Sequence, residues 1–440
     1  MRRLLVVAYF FPPVGGIGVE RTLKHVEHLP AFGWQPVVVA AANSGYRIVN
    51  PDSIARIPAG TEVHRAGSLE PAHLRRALAS LMGRGGRPTS AAPSDSRTGG
   101  GGGGLRGIAN AAWAAAIPLA FFPDEQLFWL PGAVQAGRRA NRAGPVDAIY
   151  SSSPPISGHL AAGLLARRLE RPWVADFRDP WIGNAFAKRL PAPHRALQRR
   201  LERWIVERAD RIILSTGRIR DAYAERYPDR ADRLVHIPNG YDRSELVGPP
   251  AAPPREDEDV FRLIYAGSVY GERELALFLD GVEIALHRRP ELRERLRVEF
   301  VGWFSEANLR VAARRLPPLD PVVRHRGYRP RAEAIALERR ADAGLVLIAD
   351  GEHRDAVATG KLYEYIGLDL PVLAVAPLGE VREILSGLDW GITTDPTPRG
   401  VADGIEAIVD APRPDRPADT EARYERRTLT AALVDVLAEI

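Results

Sequence analysis

Short apolar runs alternate with longer amphipathic stretches along most of the chain. Leu4–Phe10 is a nearly continuous apolar run closed by Pro12-Pro13 and Gly15-Gly16, the pattern of a strand buried on both faces. After it, Val19, Leu23, Val26 and Leu29 recur at helical spacing, with Glu20, Lys24 and Glu27 between them. Gly33 closes that helix, and Pro36–Ala42 reads as a second strand. Strand, helix and strand in succession form a βαβ unit, which builds parallel sheets covered by helices on both faces. Ala148–Ser151, Trp173–Phe177, Arg211–Ser215 and the run ending at Ile237 continue the series. The series restarts at Phe261–Ala266 and passes through Val298–Val301, Val322–Gly327, Gly344–Ile348, Pro371–Val375 and Gly391–Thr393. This predicts two consecutive Rossmann-like α/β domains, residues 1–245 and 261–420, joined by a linker over 246–260 rich in proline, alanine and acid. Residues 421–440 read as a C-terminal helix that is free to cross back to the first domain.

Two stretches break the alternation. Gly83–Gly104 is low-complexity and glycine-rich, too poor in apolar groups to order itself, and reads as a disordered surface loop. Ile108–Phe122 is apolar and alanine-rich. Packing against the first domain is favoured over dipping into a membrane interface, because the segment has no cationic face of its own. No run of 18 apolar residues predicts a membrane span, and Leu4–Phe11 lacks the small-residue cleavage site of a signal peptide. The absence of cysteine excludes disulfides, thiolate metal sites and cysteine nucleophiles. A net charge of +5 over 440 residues argues against a dedicated nucleic-acid binder.

Three turns at predicted strand ends are candidate ligand sites, because open α/β sheets bind ligands beyond the carboxyl ends of their strands. The first is Pro12–Gly18, where Gly15 and Gly16 let backbone approach a ligand at a helix start; the glycines do not form a G-x-G-x-x-G fingerprint. The second is Tyr265–Val269 with Gly267 and Ser268, followed by Arg273, which either pairs with a diphosphate or is a solvated surface arginine. The third follows Gly344–Ile348. There Thr359 is placed to cap a helix starting at Gly360 or Lys361, and Lys361 and Glu364 share one face near its start. A helix N-terminus with a lysine suits a diphosphate, and a carboxylate one turn on can accept hydrogen bonds from two ribose hydroxyls. A plain capped helix with a surface ion pair is the competing reading.

With these segments in place the chain resembles glycosyltransferase family 4, of the GT-B fold. The resemblance rests on Tyr9–Gly16, on Ala175–Trp181, on Ile237–Asp242, and on Thr359–Tyr365 with Pro371–Leu373, in that order. It implies two facing Rossmann-like domains with a cleft between them. It also implies retaining transfer from a nucleotide-diphosphate sugar, with no metal or other cofactor. By position, Lys361 and Arg273 would neutralise the diphosphate. Gly15, Gly16, Gly267, Ser268, Thr359 and Gly360 would line the donor, and Glu364 would match the second glutamate of the family's E-x7-E motif. His159 would stand near the transferred sugar as a catalytic residue, unless it is a packed helix residue. Arg178 and Asp179 would touch acceptor or sugar, unless they are a loop pair holding Trp181. The first glutamate of E-x7-E falls on Ala356, with Asp355 and Glu352 close but out of register. That departure keeps a non-catalytic donor-binding relative, and separately a nucleotide-sugar epimerase, as alternatives. The implied acceptor is a surface glycan, a lipid-linked sugar or a small molecule. His194–Arg211 carries Leu197, Leu201, Trp204 and Ile205 on one stripe among arginines. Core packing of the stripe is favoured, with the arginines free to contact an anionic membrane. A cytoplasmic protein, with peripheral contact at the inner face of the membrane as an option, is the expectation.

Overall fold

The computed structural model describes residues 1–44, 49–70, 121–187, 190–246, 259–269, 272–411 and 423–440. The expected loop 83–104, almost all of the 108–122 segment and most of the 246–260 linker lie outside these residues. The chain divides into two compact units, 1–238 with 429–440, and 239–428.

The first unit contains β1 (Arg2–Val7), β2 (Trp34–Ala41), β3 (Glu62–Ala66), β4 (Ala148–Ser153), β5 (Trp173–Phe177), β6 (Arg211–Leu214) and β7 (Leu234–His236). They form one sheet in the order β3-β2-β1-β4-β5-β6-β7, with neighbours parallel. Its longer helices are α1 (Ile17–His28), α2 (Leu130–Ala143), α3 (Ile156–Leu169), α4 (Ala192–Arg208) and α5 (Gly217–Arg226). Leu4, Val6, Val38 and Tyr150 of the central strands are buried in one core with Leu429, Leu433 and Leu437, so the chain's last helix completes this unit.

The second unit contains β8 (Phe261–Ala266), β9 (Leu296–Val301), β10 (Val323–Gly327), β11 (Ala343–Leu347), β12 (Val372–Val375) and β13 (Gly391–Thr394), in the order β10-β9-β8-β11-β12-β13. These strands are also parallel. The helices between them are α6 (Glu272–Arg288), α7 (Glu306–Arg315), α8 (Arg331–Glu338), α9 (Gly360–Gly367), α10 (Glu380–Leu388) and α11 (Pro398–Asp410). The last helix, α12 (Arg426–Ala438), runs from this unit into the first. Each sheet reverses its winding at one point, between β1 and β4 in the first and between β8 and β11 in the second. Connections leave to opposite sides there, which opens a crevice at the strand ends.

Candidate functional site

In the second unit the turn after β8 and the helix after β11 flank the reversal point. Tyr365 fastens them together. Its hydroxyl accepts the Ala266 N–H at 3.0 Å and donates to the Ile264 carbonyl at 3.2 Å. Its ring lies where a side chain at Gly344 would stand, so the missing Cβ lets α9 settle against β11. Gly367 is likewise filled by Tyr241 and Leu246, whereas the left-handed residue beyond the helix is Asp369 (φ 57°). Gly367 therefore serves packing, and the reversal of the chain comes two residues later.

This anchoring brings Lys361 onto the β8 turn. A Cβ built on Gly267 (φ 128°) would meet Lys361 Cε at 2.6 Å, and the ammonium lies 4.6 Å from the centre of the Tyr265 ring. Among the described residues Lys361 forms neither an ion pair nor a hydrogen bond, so a half-buried cation is left over at the head of a helix. One turn on, Glu364 pairs with Arg331 at 3.0 Å. Thr359 occupies the N-cap position, but its hydroxyl makes no cap bond and is buried without a partner. The expected side-chain cap is thus not formed, which leaves the first-turn amides of α9 uncapped by it. Gly360 opens the helix, and Ser268 accepts a hydrogen bond from the Tyr265 hydroxyl on its carbonyl at 3.1 Å. Arg273 is exposed in the first turn of α6. Ala356 ends a short turn, Arg354–Ala356.

Arg331 and Glu338, both on α8, were not anticipated from sequence. Glu338 is 2% exposed, and one of its carboxyl oxygens has no partner. Burial raises its pKa well above the ordinary carboxylate range. Glu364 adds to the rise, and Arg331 and Lys361 oppose it. The available signal was its spacing of three from Ile335, which puts a carboxyl on the buried stripe of a short helix.

In the first unit Gly16 (φ 98°) stands at the N-cap of α1, with no side-chain cap to the helix, and Gly15 is buried beside it. Arg178 is not free to meet a ligand with its full fork. It donates to the carbonyls of Ser153 at 3.0 Å, Pro154 at 3.1 Å and Gly18, tying the end of β4 to the first turn of α1. Asp179 is exposed. His159, read from sequence either as a residue near the transferred sugar or as a packed helix residue, is fully buried. Trp173 Nε1 donates to the Ser151 hydroxyl at 2.8 Å, and that hydroxyl shares a hydrogen bond of 2.7 Å with His159 Nδ1. The imidazole packs on Phe177, with ring centres 4.4 Å apart.

Burial pushes His159 down to about 3, with Asp176 opposing the shift and Arg178 assisting it. Between that value and the ordinary 6.5, only the unfolded chain protonates this ring. Its contribution to stability is complete above the window and shrinks as pH falls through it, by at most about 1.4 kcal/mol per unit. Urea midpoints at neutral and mildly acid pH should therefore fall with acid in the wild type and fall less steeply in His159→Asn. Parallel slopes would discount the buried neutral ring.

Two parallel α/β units, each reversing its strand order at a crevice, define the GT-B class of fold. Residues 72–240 match the model of the family described as glycosyl transferase 4-like domain. No match to a curated protein was found. Among solved structures, HepE of Anabaena in complex with UDP is similar with 14% identity and a TM-score of 0.62, all of both chains being covered. Sucrose-phosphate synthase of Thermosynechococcus elongatus is similar with 13% identity and a TM-score of 0.59, over 100% of this chain and 99% of that one. The lipopolysaccharide outer core galactosyltransferase WaaB has 11% identity and a TM-score of 0.58, over the same shares. At these identities the structural likeness establishes the fold. Among the described residues, no helix is long and apolar enough to cross a membrane.

Proposed function

We propose that the chain transfers a sugar from a nucleotide-diphosphate sugar to an acceptor, with retention of anomeric configuration and without a bound metal. The observation that carries this reading is the unspent Lys361 ammonium laid against Gly267, one turn before Glu364, at the reversal point of the second sheet. In this reading the diphosphate lies across the Gly267–Ser268 turn and the uncapped amides of α9. Lys361 neutralises the charge that develops as the sugar leaves. Glu364 accepts the ribose hydroxyls, exchanging or sharing its pairing with Arg331. HepE has been crystallised with UDP, with UDP and glucose, and with UDP-glucose, which supports this donor class. The acceptor is a glycan, a lipid-linked sugar or a small molecule. Helix α4 exposes Arg195, Arg199, Arg200, Arg203 and Leu197, a surface suited to anionic lipid, in keeping with a cytoplasmic enzyme at the inner membrane face.

Incubation of the purified chain with labelled UDP-, ADP- and GDP-sugars tests the reading. Release of nucleoside diphosphate with hydrolysis or transfer of the sugar is expected, and the released anomer reports retention. Formation of an isomeric nucleotide sugar would replace the reading with an epimerase. Binding without turnover would favour the non-catalytic relative that Ala356 at the first E-x7-E position raises.

A further inference from the structure

Two groups of opposite formal charge lie within each other's field in the second unit and do not pair. Glu338 is 2% exposed, its Oε2 has no hydrogen-bond partner, and among the described residues its carboxyl enters no ion pair. Lys361, whose charge acts on Glu338, is equally unspent.

The helix face explains why they meet. Arg331, Ile335 and Glu338 fall at spacings of four and three, so they share one side of α8. Ile335 is buried in one core with Leu362, Tyr363, Tyr365 and Ile366 of α9. The same side brings Arg331 to Glu364 at 3.0 Å and, two turns on, carries Glu338 into the interior. The charged groups that face Glu338 are Glu364 and Lys361 from α9 and Arg331 from its own helix. Tyr365 also faces it, but that hydroxyl is already bonded to Ala266 and Ile264. Arg331 is committed to Glu364 and lies 3.8 Å from Glu245. Among the described residues, Lys361 is thus the cation facing Glu338 that has no anion.

An ionised carboxyl shut away from water is strongly disfavoured unless a cation compensates it, and a second carboxylate nearby disfavours it further. An ionised Glu338 would therefore draw the free ammonium to itself. Instead that ammonium lies 4.6 Å from the centre of the Tyr265 ring, against Gly267. A carboxyl that keeps its proton has no such hold on the lysine.

We infer that Glu338 is a positioning residue that works as a neutral acid: with its proton it leaves Lys361 free for the donor diphosphate, and without it withdraws that lysine from the phosphate. The role rests on the proposed function. A bound diphosphate, itself an anion, holds the proton on Glu338 in turn, so nucleotide and proton bind together. Donor affinity should then weaken in alkali, by at most about tenfold for each pH unit above the titration of Glu338.

Calorimetric titration of the folded full chain with UDP, ADP and GDP, from neutral pH to about 9.5 and so below the ordinary titration of lysine, tests the inference. Glu338→Gln keeps the shape and neutrality of the protonated acid. It should match the wild type at neutral pH and bind the preferred nucleotide about tenfold more tightly than the wild type at the alkaline end. In a Lys361→Ala background the same substitution should leave the pH profile unchanged. The infrared difference between wild type and Glu338→Gln at neutral pH should contain the carbonyl band of a protonated carboxyl, with or without nucleotide. Parallel pH profiles would overturn the role while leaving the proposed function standing. So would a loss of affinity in Glu338→Gln at neutral pH, a Glu338 effect that survives Lys361→Ala, or the absence of the protonated band. A wild-type chain that binds none of the three nucleotides would remove the proposed function, and this role with it, whatever the infrared band shows.

Discussion

Lys361→Ala should slow sugar transfer by about 10²–10³-fold, the usual cost of removing one preorganised group that faces developing charge. The effect should fall mainly on kcat, because the leaving diphosphate carries more charge on its bridging oxygen than the bound donor does. Glu364→Ala should instead cost donor affinity and raise KM, since the ribose does not change during the reaction. A third variant sharpens the test without deleting any polar group. Gly267→Ala puts a methyl 2.6 Å from Lys361 Cε and an L-residue at φ 128°, so it should displace the ammonium and reproduce much of the Lys361→Ala loss. Turnover with nucleotide sugars, measured in all three beside a check of folding by circular dichroism, decides the matter. Wild-type rates in Lys361→Ala and Glu364→Ala would remove the site from the second unit.

Arg21→Ala should lower the stability of the chain by about 3–5 kcal/mol, because it strands a buried charge. Arg21 is 1% exposed and Asp176 is fully buried. The guanidinium Nε donates to Asp176 Oδ2 at 2.7 Å and one Nη to Oδ1 at 3.1 Å. The fork also reaches the Pro238 carbonyl at 2.7 Å and the Ile237 carbonyl at 2.9 Å. The Tyr150 hydroxyl adds a short hydrogen bond to the same carboxylate. Burial alone would raise the Asp176 pKa, but Arg21 and Tyr150 outweigh it and hold the group below its ordinary range. Its stabilising share is therefore present at neutral pH and lost as acid titrates the carboxylate. Arg21→Lys keeps the charge without the fork and should fall between the wild type and Arg21→Ala. Urea unfolding gives the comparison; a midpoint for Arg21→Ala equal to that of the wild type would show that the pair carries no net stability.

Most of the strand framework was legible because both sheets are parallel and covered, so their strands are short, nearly pure apolar runs such as Leu4–Val7 and Leu345–Leu347. The strand that escaped notice, β3, lies at the edge of its sheet, and its Glu-Val-His-Arg-Ala sequence is half-polar because only one neighbour and one face need apolar cover. The segment Thr359–Glu364 was legible from local chemistry alone, as a cap residue, a glycine, a lysine and a carboxylate at helical spacing. What sequence could not supply was the partnering. Arg331 meets Glu364 only because α8 and α9 are brought side by side. The Thr359 hydroxyl makes no cap bond although it stands at the N-cap position. His159 sinks into the core because Trp173 and Phe177 close over it. None of these contacts has a period or spacing that announces it.

The first unit depends on residues 429–440 for part of its interior, and His25 meets the Thr430 hydroxyl at 3.0 Å. Domains ordinarily consolidate in the order in which they leave the ribosome. Here the leading unit must wait, its apolar seat for Leu433 and Leu437 open, while the whole of 239–428 is translated. The trailing unit therefore has the opportunity to mature first.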